Sequence, residues 1–447
     1  MKTRETKKQK KPVVVLSEAT DGVNKVRLMG SARAEEEEAC PWEEIDDYSG
    51  RFVMAGYSTS DNYYHPWIAY STDGGKTWTK SETTANLEQV HGQLLALAYG
   101  GGRFVVAGYR SDNTDDSYQL WPTYSTDGGK TWTGSGTTAE EDQAYGVLRA
   151  LAYGGGRFVV AGYRYDDTDR YHPWLAYSTD GGKTWTRSET TAKEDQTHGQ
   201  LHALAYGGGR FVVAGYRYDD DDDSKSENYH PWLAYSTDGG KTWTKSETTA
   251  NPEQVHGQLL ALAYGDGRFV VAGFRYDDTD RHHPWLAYST DGGETWTKSE
   301  TTAKEEQTHG TLRALAYGDG RFVVAGFRYD STDRYHPWLA YSTDGGETWT
   351  KSETTAKEEQ PHGWLRALAY GGGRFVVAGF RYDIENNESE NHHPWLAYSA
   401  DGGKTWIRSE TTADPNQEHG EPRALTYAPD SYCWKFGKEE ETEETTE

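Results

Sequence analysis

The sequence predicts an all-β protein, a seven-bladed β-propeller of four-stranded antiparallel blades. The phrase Ser-Thr-Asp-Gly-Gly-Lys/Glu-Thr-Trp occurs seven times, beginning at Ser71, Ser125, Ser178, Ser236, Ser289, Ser342 and Ser399, the last with Ala400 in place of Thr. The copies stand about 53 to 58 residues apart. A unit of that length, repeated so faithfully, fills its core by packing against its own copies. No part of the repeat shows the apolar period of a helix, which leaves strands as its building material.

The third copy shows how each blade is assembled. Leu148-Arg-Ala-Leu-Ala-Tyr153 is short, apolar and rich in small residues, as an inner strand crowded around an axis must be. Gly154-Gly155-Gly156 supplies a tight reversal. Arg157-Phe-Val-Val-Ala-Gly-Tyr163 is β-branched and aromatic, a second strand of high sheet propensity. A polar loop from Arg164 to His172 leads to a third strand, Pro173-Trp-Leu-Ala-Tyr177, and the Asp180-Gly-Gly turn returns the chain as Thr184-Trp-Thr-Arg-Ser188. Four strands per unit of this length describe a propeller blade, and seven phrases describe seven blades.

Within the repeated phrase, an Asp in a turn accepts bonds from nearby backbone N–H groups while the two glycines let the chain fold tightly around it. Asp73, Asp127, Asp180, Asp238, Asp291, Asp344 and Asp401 therefore read as structural, since identical recurrence does not build the asymmetric constellation a catalytic site needs. Trp78, Trp132, Trp185, Trp243, Trp296, Trp349 and Trp406 are expected beneath the turns, largely buried.

Ser-x-Asp-x-Gly-x-Thr-Trp resembles the Asp-box, or BNR, repeat of the sialidase-like superfamily, and the likeness covers roughly residues 49–428. That superfamily includes sialidases, some glucan hydrolases, sortilin-type receptors and photosystem assembly factors. The resemblance implies the propeller fold and leaves the activity open, because one scaffold hosts enzymes, receptors and scaffolding proteins. Its sialidase members would bring three arginines clamping a carboxylate, a Tyr–Glu nucleophile pair, an Asp acid/base and an early Phe/Tyr-Arg-Ile-Pro motif. The early strand here reads Arg51-Phe-Val-Met, so that motif is absent.

The chain has 447 residues and a formal net charge of −25. That balance argues against nucleic-acid and anionic-membrane partners, which need a basic footprint. No apolar run is long enough for a membrane helix, and Val13-Val-Val-Leu16 behind the basic start is too short for a secretory signal. Cytoplasmic residence is the default expectation, with an extracellular one standing if the true N-terminus lies elsewhere. Residues 1–41 read as a basic flexible tail, 42–437 as the propeller and 438–447 as an acidic disordered tail. A monomer is expected.

The first blade lacks a good inner strand before Arg51, and the missing copy follows the seventh phrase as Arg423-Ala-Leu-Thr-Tyr427. Closure of the ring by this C-terminal strand is predicted, the competing reading being a degraded inner strand at Glu44–Tyr48. Cys40 and Cys433 flank that junction. A disulfide between them would contribute up to roughly 6 kcal/mol by chain entropy, and two free thiols in a reducing compartment are the alternative.

Several other motifs fail on inspection. Gly75-Lys76-Thr77 has Tyr70 where a phosphate loop needs glycine, and the Tyr-Gly-Gly-Gly-Arg segments lack the helix of a dinucleotide site. The five-Asp run Asp219–Asp223 lacks the alternation and glycine of a calcium loop and reads as solvated. No cofactor and no metal is expected.

Binding is expected on the face opposite the glycine turns, where the longer polar loops lie. One histidine set precedes proline: His65, His172, His230, His283, His336 and His393. Another precedes glycine: His91, His198, His256, His309, His362 and His419. Both sets lapse together in the second repeat, at Gln119 and Tyr145, which implies that the two histidines of a pair touch or share a partner. A structural hydrogen bond and metal ligation are the two explanations. The histidines from His172 onward and Arg164, Arg217, Arg275, Arg328 and Arg381 are the candidate ligand-binding residues, although symmetry spreads those arginines around the ring. The predicted function is a non-catalytic binding or scaffolding propeller offering repeated sites to a glycan or protein ligand. A sialidase-like glycoside hydrolase is the alternative, favoured if one blade supplies Arg, Tyr and Glu that the other six lack.

Overall fold

The computed structural model describes residues 50–60, 63–81, 91–111, 118–137, 145–165, 170–190, 198–218, 229–248, 256–301, 309–329, 334–354, 362–382, 392–409 and 420–429. Both predicted tails, Glu44–Tyr48, both cysteines, the Asp219–Asp223 run and His419 lie outside them. Among the described residues no helix is long and apolar enough to cross a membrane.

Seven sheets form the seven blades of the propeller, each with four antiparallel strands in the predicted order. In the third blade the inner strand Gly146–Gly154 pairs with Arg157–Tyr165, which pairs with Tyr171–Ser178, which pairs with the outer strand Thr184–Arg187. Five blades also carry a two-residue parallel strand handed over from the preceding repeat, as Glu189–Thr190 lies beside Thr242 and Trp243. A strand of two residues leaves no period along the chain to detect.

Closure occurs by the C-terminal strand. Gly420–Ala428 pairs antiparallel with Arg51–Ser60 and becomes the inner strand of the first blade. Apolar residues of the first and last blades merge into one core, with Phe52, Met54 and Trp78 against Val376, Ala378 and Leu396. On the box face Arg374 donates from Nη1 to the carbonyl of Asp73 at 3.2 Å, tying the seventh blade to the first.

Every inner strand carries a β-bulge at the same place. In the third blade Ala150 faces Ala161 and Leu148 faces Gly162, so Arg149 drops out of the ladder. The same displacement leaves Leu95, His202, Leu260, Arg313, Arg366 and Arg423 unpaired in the other six blades. The bulge presses the inner backbone onto the second strand. A Cβ on Gly162 would stand 2.0 Å from the carbonyl oxygen of Val147, which is why Val-Val-Ala is followed by glycine. A bulge re-aims its residue, and here the seven re-aimed positions encircle one axis.

Candidate functional site at the central channel

The inner strands run down the axis, and six of their seven bulge residues, with the Ala-Leu that follow each bulge, line a central space of about 150 Å³; the seventh, Leu95, packs against Tyr109, Val147 and Tyr163. Arg149, His202, Arg313, Arg366 and Arg423 all reach it. The second and fifth blades place Leu95 and Leu260 at the same bulge, so the ring is asymmetric. Four guanidinium groups meet here within a chain whose net charge is −25.

Their guanidinium groups lie over aromatic rings. Arg366 lies 4.5 Å from the Trp364 ring centre and Arg313 lies 5.1 Å from it. Arg149 stands over Tyr163 at 5.4 Å and Arg423 over Tyr57 at 5.3 Å. His202 stacks on Tyr216. These contacts stiffen the arginines. Nε of Arg149, Nε of Arg313 and Nε2 of His202 are buried without a hydrogen-bond partner among the described residues.

Among the described residues, one carboxylate answers the four cations. Glu421, 2% exposed, lies 2.8 Å from Arg423 and 3.4 Å from Arg366, and receives Nδ1 of His392 at 2.5 Å. Burial alone would raise its carboxyl, but the His392 hydrogen bond and the charges of Arg423 and Arg366 outweigh burial and hold it down to about 2. Burial lowers Arg313 to about 10, with Arg423 and Arg149 adding repulsion and Glu421 relieving it only in part. Arg366 is lowered strongly by burial and then by Arg423 and Arg313. His202 is lowered well below the ordinary imidazole range by burial, then by Arg149 and Arg313. The channel thus holds an excess of positive charge, an arrangement suited to an anion.

The first blade alone supplies Arg, Tyr and Glu together, as Arg423, Tyr57 and Glu421. Arg423 donates from Nη2 to the Tyr57 hydroxyl at 3.3 Å. Burial, opposed by Arg423 and reinforced by Glu421, pushes that hydroxyl up to about 12.

The residues singled out from sequence lie elsewhere. Arg164, Arg217, Arg275, Arg328 and Arg381 sit on separate second strands, each opposite its own histidine: His172, His230, His283, His336 and His393. The structure does not bring them together. The histidines do meet across blade junctions. Ring centres are 5.3 Å apart for His65–His91, 5.1 Å for His172–His198, 5.2 Å for His230–His256, 5.1 Å for His283–His309 and 4.8 Å for His336–His362. At the junction where both are missing, Gln119 instead accepts from Nε of Arg110 at 2.9 Å.

The box carboxylates are engaged within their own turns. Asp238 accepts from Ser236 Oγ at 2.8 Å, from the N–H of Thr242 at 3.0 Å and from Thr242 Oγ1 at 2.7 Å. Trp243 is 2% exposed and donates from Nε1 to the carbonyl of Gly240 at 3.2 Å.

The channel arginines escaped the sequence reading because they sit inside the phrase x-Ala-Leu-Ala/Thr-Tyr, whose regularity speaks of packing. The available signal was the one variable letter: Leu95, Arg149, His202, Leu260, Arg313, Arg366 and Arg423.

The BNR repeat-like domain matches this chain over residues 42–150, 137–272, 168–312 and 286–431. A sialidase of Bacteroides fragilis is 25% identical over 264 residues, covering 52% of this chain and 47% of the relative. A sialidase of Paraclostridium sordellii is 24% identical over 204 residues, covering 39% and 50%. The chain thus spans about half the length of these curated relatives. Among solved structures, the Hadza microbial sialidase Hz136 aligns with a TM-score of 0.43 and 15% identity over 87% of this chain and 91% of its own.

Proposed function

Because this chain belongs to the BNR repeat-like family of sialidase-like propellers, we propose that it is a binding propeller which captures a carboxylate-bearing glycan in the central channel without cleaving it. The observation that carries this reading is the set of four arginines re-aimed by bulges onto one axis and opposed by one carboxylate among the described residues. Planar guanidinium groups match carboxylates through paired hydrogen bonds, and the surrounding Tyr, Trp and Phe rings suit the faces of a sugar. The sialidase relatives make a sialylated glycan the first ligand to try.

Hydrolysis is the second reading, favoured by the joint presence of Arg423, Tyr57 and Glu421 in the first blade. Two observations weigh against it. The Tyr57 hydroxyl accepts from Arg423 at 3.3 Å and burial pushes it up to about 12, so it would need an adjacent base to take its proton, and Glu421, the carboxylate of the same blade, is already held between Arg423 and Arg366.

Calorimetric titration of the full chain with sialyllactose, with neutral lactose as control, tests the proposal. Saturable binding of the acidic sugar alone is expected, weakened at least tenfold in Arg313→Leu, with no release of sialic acid. Equal response to both sugars removes the carboxylate from the reading. Release of sialic acid that stops in Tyr57→Phe establishes the hydrolase.

A further inference from the structure

The fifth and sixth blades meet at Asp277, His283 and His309, whose ligand-type atoms all lie within 4.8 Å of one another. We propose that these three residues form a binding site for a borderline divalent transition metal, of which zinc is the type, stapling one blade to the next. His283 belongs to the third strand of its blade, and His309 stands immediately before the inner strand of the following one. The site therefore spans the junction between two blades.

The donor set fits the ion. Two imidazoles and one carboxylate are the ligands of many open zinc sites, and they discriminate against magnesium and calcium, which prefer oxygen alone. Asp277 is held in an orientation that suits a ligand. Its Oδ1 accepts from the N–H and Oγ1 of Thr279, both at 2.8 Å, and from the N–H of Arg281 at 3.0 Å. This leaves Oδ2 toward His283, whose Nε2 lies 2.8 Å away. At His309, Nη1 of Arg281 lies 3.4 Å from Nε2. A guanidinium can only donate, so that nitrogen presents a lone pair, the form a metal takes. Arg281 is solvent-exposed and its long side chain can leave.

Bond lengths of 2.0–2.1 Å require tetrahedral ligand atoms to stand about 3.3 Å apart, so Asp277 Oδ2 and His283 Nε2, now at 2.8 Å, must part by about 0.5 Å, while the atoms farthest apart close in by up to about 1.5 Å. All three are half-buried at the surface, where rotamer changes of that size are available. The sequence repeats the spacing, since Asp166 and Asp330 precede His172 and His336 by the same six residues as Asp277 precedes His283. The histidine pairs that follow, His172–His198 and His336–His362, are in contact. At least one ion per chain is expected, at the trio found among the described residues. The site is independent of the channel proposal.

The test uses the full chain, freed of metal by chelator and titrated calorimetrically with zinc chloride, with magnesium chloride as control. Saturable zinc uptake is expected, with one fewer ion bound in His283→Ala and in Asp277→Asn. Cobalt should give the intense visible bands of a four-coordinate nitrogen–oxygen site, diminished in both variants. Asp277 lies at the half-exposed end of a loop, so Asp277→Asn keeps the test open if His283→Ala fails to fold. Zinc uptake unaltered in Asp277→Asn, or no saturable uptake by the native chain, overturns the proposal and leaves the trio as a hydrogen-bonded junction.

Discussion

The carboxylate of Glu421 lies 3.4 Å from Nε of Arg366, so the strand that closes the ring also carries the counter-ion of the blade before it. The same carboxylate holds Arg423 of its own strand at 2.8 Å. Charge balance in the channel therefore depends on one buried side chain of the closing strand. Removing one partner of such a group leaves the others uncompensated, and the loss is larger than the net worth of the pair.

Acid should unfold this protein along a predictable course. The carboxyl of Glu421 is held down to about 2 in the fold, against roughly 4.3 in an unfolded chain. Asp73, Asp180, Asp238, Asp291, Asp344 and Asp401 are lowered too, because Ser, Thr and backbone hydrogen bonds outweigh the opposing effect of burial. Depressed values stabilise fully above the unfolded pKa and lose that contribution as pH falls through the folded one. Melting temperature should be level near pH 6, then fall steeply below about pH 4. Glu421→Gln should cost about 3 kcal/mol at pH 7 and flatten the acid limb. A variant with native stability and an unchanged acid limb would show that the ion pairs contribute nothing.

Arg149 can be exchanged for a residue the fold already tolerates. Leu95 and Leu260 occupy the same bulge in other blades, so Arg149→Leu should fold normally and shift stability by no more than about 1 kcal/mol, as well-accommodated apolar residues do. Affinity for an acidic glycan should fall about tenfold, the loss of one charge-assisted contact. Native affinity in the folded variant would remove Arg149 from the binding set.

Gly162 should not accept a side chain. The Cβ of Gly162→Ala would lie 2.0 Å from the carbonyl oxygen of Val147, and relief requires flattening the bulge. Overpacking of this kind costs about 1–3 kcal/mol. Gly134→Ala, where a Cβ would meet nothing within 4 Å, should stay within about 0.5 kcal/mol. Equal melting of the two variants would mean that the bulge yields easily.

Much of this architecture is legible along the chain because each blade is local. Strand, turn and box lie within one repeat, and glycines report where the backbone must turn or be approached. Even the closing strand is identifiable, since Arg423-Ala-Leu-Thr-Tyr427 has the form of an inner strand with no blade of its own. The meeting of His172 with His198 was likewise foreshadowed by the joint loss of both at Gln119 and Tyr145. The two-residue parallel strands were not legible, being too short to carry a pattern.

The sequence by itself determined seven blades, their strand order and the manner of closure, because those follow from periodicity and from backbone sterics within each repeat. Only the tertiary structure decided which arginines act together. Arg164 and its equivalents look alike and stay apart on separate blades, whereas Arg149, Arg313, Arg366 and Arg423, distant along the chain, converge. The reason is geometric: a one-residue bulge turns each of these side chains onto the axis, and the closed ring then brings the axis-facing residues of remote repeats to one place.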